Sequence, residues 1–251
     1  MDSKSNNIKK HAEDFTIKHY RKLLEIAKEN YQFVFYNEIN FDINFVLWRH
    51  DCDYSLNRAL ELARIENEMD IKSTFFINPH CWFYNIFEKN QTDLIMKILN
   101  FGHNIGLHFD AGYYDVKHEN ELNDLIAFEG MMLENFFDTK IDVFSFHNPT
   151  AYLLTCEQSE YGGMINCYSR TFKDEISYCS DSNGYWRHQR IYDFLLSSDK
   201  NNIQVLTHPG WWLDVVKQPR DRILRALNGR RDHVMQSYDD ELKIFKRKNI
   251  F

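Results

Sequence analysis

The sequence predicts an α/β protein built on a mostly parallel sheet. Two features lead there: seven short apolar runs rich in aromatic and β-branched residues, and amphipathic helical patterns between several of them. With so many strand–helix units, a closed or nearly closed barrel is expected rather than an open doubly wound sheet. In either case the chemistry belongs on the loops that follow the strands.

The elements follow in order. Residues 1–40, with the amphipathic Tyr20–Ala27 segment, are expected to form an N-terminal helical extension packed on one end, leaving 41–251 as the barrel domain. Strands are expected at Ile43–Trp48, Ser73–Asn78, Asn104–Asp110, Val143–His147, Ile165–Tyr168, Ile176–Cys179 and Ile203–Thr207. Ser55 is the expected N-cap of a helix whose Leu56, Ala59, Leu60 and Ala63 fall on one face. Thr92 and Gly102 bracket a second helix. Leu122, Leu125, Ile126, Met132, Leu133 and Phe136 line a third, and Arg220–Lys248 reads as a final helical stretch that Gly229 breaks in two.

Composition excludes several classes. Hydrophobic residues make up 43% of the chain and include 20 Phe, 14 Tyr and 5 Trp, enough for a large core, so a disordered chain is excluded. A net charge of −7 lacks the basic footprint of a nucleic-acid binder. No apolar run approaches the roughly 18 residues needed to cross a bilayer, and the polar opening MDSKSNNIKKHAEDF carries no secretory h-region. Cys52, Cys81, Cys156, Cys167 and Cys179 are odd in number and lack C-x-x-C spacing, so free buried or half-buried thiols and a cytoplasmic location are expected.

The polar residues at the strand ends carry the chemical signal. They fall in Arg49-His50-Asp51-Cys52-Asp53, Leu107-His108-Phe109-Asp110, Ser145-Phe146-His147-Asn148-Pro149, Ser180-Asp181-Ser182 and Thr207-His208-Pro209. Parallel strands bring these ends to one rim. Asp51 and Asp53, two apart, project to the same side of an extended segment, where two carboxylates repel unless a cation or proton intervenes. They are either a turn pair leading into the Ser55 helix or a metal ligand with a free base beside it. Three His/carboxylate ligands with one open position are the donor set of a hydrolytic zinc site. His103 lies an odd number of residues before His108, on the opposite strand face, and reads as structural. Pro209 forces His208 into an extended conformation. With Trp211 and Trp212 behind it, His208 reads either as a general acid that Asp181 orients or as a core residue. Dinucleotide-binding, P-loop, G-x-S-x-G and H-E-x-x-H patterns are absent.

Asp51-Cys52-Asp53, Ser73-Thr74-Phe75-Phe76, Gly102 to His108 and Leu206-Thr207-His208, in this order and spacing, resemble the polysaccharide deacetylase (NodB-homology, carbohydrate esterase family 4-like) superfamily. The segments Arg49 to Ser55, Ser145 to Pro149 and Ser180 to Gly184 resemble its intracellular WbmS-like branch. The resemblance covers about residues 46–212. It implies a distorted (β/α)7 barrel and metal-dependent removal of an acetyl or formyl group from an acylated sugar precursor, nucleotide- or lipid-linked, in surface-polysaccharide biosynthesis.

By position the resemblance makes Asp51 the catalytic base, Asp53 and His108 metal ligands, His208 the general acid, and Asp181 and Trp186 its support and the wall of the acyl pocket. Arg49 and Trp211 are expected to contact substrate. Two positions depart from the family pattern. Gly112 stands where the second His of H-x-x-x-H belongs, and His147 stands in place of the arginine of an R-x-P-type motif. Either His147 or Asp110 then completes a site for a divalent ion, expected to be Zn2+. Loss of metal would leave a carbohydrate-binding pseudoenzyme, and a scaffold in a glycan-assembly complex is the remaining alternative.

Overall fold

In the computed structural model, which describes residues 11–197 and 200–250, all seven apolar runs form strands. The strands are β1 (Gln32–Phe33), β2 (Phe45–Asp51), β3 (Thr74–Ile77), β4 (Asn104–Phe109), β5 (Val143–Phe146), β6 (Glu160–Tyr161), β7 (Met164–Asn166), β8 (Ser177–Ser180) and β9 (Asn202–Thr207). The helices are α1 (Ile17–Asn30), α2 (Leu56–Glu68), α3 (Lys89–Asn100), α4 (Asn120–Phe137), α5 (Arg170–Glu175), α6 (Ile191–Leu196) and α7 (Pro219–Ile244). The first ten residues, part of the expected N-terminal extension and of the segment read as leaderless, lie outside the described residues. β1 and β6 were not anticipated; two residues are too few for periodicity to register.

The strands join in the order β6-β7-β5-β4-β3-β2-β9-β8, parallel throughout except for the antiparallel β6–β7 pair. Among the described residues β8 and β6 do not pair, so the sheet curls into a distorted α/β barrel left open on one side. β2 is buried at every position. Its alternate residues Phe45 and Leu47 join Phe76, Val143, Cys167, Phe172 and Ile176 in the interior cluster. Val46 and Trp48 face outward, against α1 and α6. Helices α2, α3 and α4 cover β3, β4 and β5 through a separate apolar cluster. Gly106 permits this curvature, because a side chain there would strike the Phe76 ring at 2.8 Å.

Several helix boundaries differ from the sequence reading. Ser55 does cap α2, its hydroxyl accepting from the Arg58 N–H at 3.4 Å. Thr92, read as bracketing the start of its helix, lies one turn inside α3, and its hydroxyl donates to the carbonyls of Ile86 and Glu88. Gly102 follows that helix at φ +84°, the left-handed conformation that glycine adopts without strain. In α4 the buried line runs through Leu122, Ile126, Glu129, Leu133 and Phe137, while Phe136 is exposed. The pattern misled because the buried Glu129 reads as surface; it is buried on partners from other segments, His80 at 2.5 Å and Tyr114 at 2.7 Å. Gly229 does not break α7, since a lone glycine costs a helix only about 1 kcal/mol.

A polar knot ties the layers together outside the barrel. Glu66 of α2, fully buried, accepts from Tyr20 of α1, from Ser73 at 2.5 Å and from His50 of β2 at 2.8 Å. His50 in turn bonds Thr207 of β9 at 2.7 Å. His103 bonds Ser73 at 2.8 Å and the Ala63 carbonyl at 2.8 Å, a structural place. All five cysteines are free thiols, Cys81 half-buried and the others buried.

Candidate active site

Parallel pairing sets the site. Arg49 and Asp51 lie level with Thr74 and Phe76, and His108 lies level with Ser145. His50 pairs Thr207, which brings His208 up beside the end of β2. Asp51, Asp53, His108, His147 and His208 therefore arrive from four strands at the C-terminal rim.

Asp53, His108 and His147 each offer one donor atom, and the three atoms lie within 4.8 Å of one another. The Asp53 Oδ1 atom is buried with no hydrogen-bond partner, although His108 Nε2 stands 3.2 Å away. A buried carboxylate oxygen left unsatisfied beside an imidazole nitrogen is suited to share a cation with it. Burial disfavours ionisation of Asp53, but His108, His208 and His147 override it and hold its carboxyl well below the usual range. Supporting groups fix both rings. His108 Nδ1 meets the Ser145 hydroxyl at 2.7 Å, and His147 Nδ1 meets Asp110 Oδ2 at 3.2 Å. The residues present thus fit a divalent metal. Asp110, the other candidate for the third ligand, stands behind His147 and also accepts from the N–H groups of Gly112 and Tyr113. Gly112 sits in that tight turn.

Asp51 is next to this set, 3.6 Å from His108 Nε2. Arg49, expected to contact substrate, is only 1% exposed and grips both oxygens of Asp51 at 2.8 Å. The two residues share the inward face of β2 because they are two apart. Burial opposes ionisation of Asp51, and the Arg49 charge overcomes it, holding the carboxyl below its ordinary value.

His208 stands across the rim, its Nε2 3.7 Å from Asp53 Oδ2. Its backbone is extended at φ −107° and ψ 112°, as the following Pro209 requires. Asp181, fully buried, meets His208 Nδ1 at 2.6 Å and accepts from the His208 N–H at 2.9 Å. Burial disfavours the charged ring, but Asp181 outweighs it and pushes the His208 pKa up to about 9. The indole that holds Asp181 belongs to Trp212, donating at 2.9 Å. Trp186, expected to support this histidine, instead stacks on Phe15 at 4.7 Å and donates to Asp14 at 2.7 Å. Trp211 is buried behind Tyr54, 4.7 Å between rings.

A cleft of about 220 Å³ opens over the site, walled by Asp53, Tyr54, His80, Trp82, Asp110 and His147. Ser145, His80 and Cys81, whose thiol donates to the Asp53 carbonyl at 3.2 Å, were given no part in the site by the sequence reading, and Trp212 was read only as an aromatic behind His208. Only Ser145 left a usable sign: it lies in β5 two residues before His147.

No family model and no curated protein matches the chain. Among solved structures it is similar to a family 4 carbohydrate esterase from Bacillus anthracis at 13% identity, covering 85% of this chain and 86% of that one, with a TM-score of 0.44. It is also similar to the chitin deacetylase of the fungal pathogen Colletotrichum lindemuthianum, at 15% identity, 75% and 83% coverage and a TM-score of 0.41. A third likeness is to a carbohydrate esterase family 4 pseudoenzyme from Bacillus anthracis, at 11% identity and a TM-score of 0.43; this chain is covered over 77% but spans only 63% of that one's length.

Proposed function

We propose that the protein is a metal-dependent deacylase of acylated sugars. The observation that carries this reading is the Asp53–His108–His147 set with its unbonded Asp53 oxygen, placed between an arginine-held Asp51 and an aspartate-held His208. A divalent ion, zinc by the donor chemistry, would be held by Asp53, His108 and His147 and would polarise the acyl carbonyl and activate water. Asp51 takes the proton of the attacking water as the new C–O bond forms. Arg49 positions Asp51 and keeps it ionised. His208, protonated at neutral pH, gives the proton from its ring Nε2 to the departing amine or hydroxyl as the acyl bond breaks. Asp181 and Trp212 keep that ring oriented. The products are a carboxylate and the free sugar amine or alcohol.

The substrate in this reading is a nucleotide- or lipid-linked acetylated or formylated sugar, handled in the cytoplasm during polysaccharide assembly. The sequence resemblance supports that choice. In this reading residues 41–251 are the catalytic barrel, and the described part of 1–40 is an extension packed on it. No helix among the described residues is long and apolar enough to cross a membrane.

The test is direct. Protein purified without a metal-affinity tag is stripped with chelator, reloaded with Zn2+ and assayed for acetate and formate release from N- and O-acylated sugars. Zinc-restored release that Asp53→Ala abolishes is the expected result. Sugar binding with no release under any metal would instead make the chain a pseudoenzyme, a reading that Gly112 favours because it supplies no ligand.

A further inference from the structure

Helix α7 is mounted inside out. Apart from Ile223, which packs on the core, its attachment to the body is polar: Arg222 is buried against Phe15, and Arg230 and His233 both bond Glu88 at the start of α3, at 2.9 and 3.1 Å. The side facing water is apolar. Leu224, Leu227, Val234, Met235 and Tyr238 are each 43–56% exposed, and Phe245 just past the helix is 63% exposed. Their spacing of 3, 7, 1, 3 and 7 places them on one stripe. On a helix of 26 residues the stripe runs from Leu224 to Phe245, about 32 Å. An amphipathic helix normally turns such a stripe to its own core, and an exposed one of this length marks an interaction surface.

The charges along the stripe select the occupant. Arg220 and Arg231 lie on it in the first half of the helix, and Asp239 and Glu241 flank it in the second half. We propose that the α7 stripe is a self-association surface on which two copies of this chain pair as antiparallel helices. A two-fold axis between Val234 and Met235 sets Leu227 against Leu242 of the second copy and Leu224 against its Phe245. The same axis places Arg231 beside the second copy's Tyr238 and Asp239. Leu224, Leu227 and the Val234–Met235 pair meet apolar side chains, Tyr238 lies against Arg231, and the basic first half of each helix meets the acidic second half of the other. A parallel pair would oppose like charges. Acidic groups on both flanks disfavour an anionic lipid surface, for which a basic polar margin is the signature.

The test is sedimentation equilibrium on the whole protein from about 1 to 100 µM, the range in which a modest interface dissociates. A species of twice the 30.3 kDa chain mass is expected, and Leu227→Glu with Tyr238→Glu weakens it at least tenfold. Both sites are exposed, so circular dichroism should show an unchanged fold. Arg231→Glu alone weakens the dimer, and adding Asp239→Arg restores it. A monomer at all concentrations, a dimer indifferent to the stripe variants, or stripe-dependent flotation of a monomer with phosphatidylcholine–phosphatidylglycerol vesicles would each overturn the proposal.

Discussion

Replacing Arg49 with methionine tests the buried half of the site. Arg49 and Asp51 are 1% and 3% exposed, and the guanidinium makes two 2.8 Å bonds to the carboxylate. Arg49→Met keeps most of the side-chain volume but leaves Asp51 charged and unpaired in the barrel. Breaking a buried pair on one side costs about 3–5 kcal/mol, a large share of the roughly 5–15 kcal/mol that holds a domain folded. At about 2–4 °C per kcal/mol for a chain of this size, the melting temperature should fall by roughly 6–20 °C. The double variant Arg49→Met with Asp51→Asn removes the stranded charge, so it should be more stable than the sum of the single losses by at least about 1.5 kcal/mol. Urea denaturation followed by circular dichroism at pH 7 measures all four species. A single-variant loss below about 1 kcal/mol, or strictly additive losses, would show that the pair does not hold this part of the barrel.

Other expectations follow from the same geometry. Asp51→Asn and His208→Ala should each lower deacylation about 10²- to 10⁴-fold, with Asp51→Asn also losing stability because it strands Arg49; metal binding measured by calorimetry should survive His208→Ala. Zinc should raise the melting temperature of chelated wild type by mass action and should fail to do so in His108→Ala, which differential scanning fluorimetry reports. Arg190 grips Asp14 through two bonds of 2.8 and 2.9 Å and, with Trp186, holds its carboxyl below the ordinary value against the effect of burial. A depressed carboxyl stabilises the fold above its unfolded pKa and loses that contribution as pH falls through the folded value. Arg190→Gln should therefore move the acid-denaturation midpoint to higher pH, and an unmoved midpoint would rule this linkage out. Glu66→Leu leaves Tyr20, His50 and Ser73 without their shared acceptor, and urea midpoints should show one of the larger single-site losses in the chain.

Much of this was legible in the chain. β2, β4, β5 and β9 are apolar runs with His or Asp at or next to their C-terminal ends, and a period of two places Arg49, Asp51 and Asp53 on one side. Trp186 could not be placed in this way. Its distance in sequence from Asp181 is short, yet Asp14, more than 170 positions away, takes its N–H, and Trp212 takes the supporting place. Glu129 broke the apolar pattern of α4 because a carboxyl reads as surface until its partners from distant segments are known.

Local pattern alone determined the seven longer strands, the presence of helices between them and the His and Asp residues at the strand ends, because burial imposes its period on neighbouring residues. Tertiary structure decided which residues share the site: Arg49 bound to Asp51, His147 rather than Asp110 beside His108, and Trp212 behind Asp181. It also decided that α7 presents its apolar stripe outward. Those outcomes depend on strand register and on how a helix is seated, which are set by contacts between residues far apart in sequence, and no local period encodes such contacts.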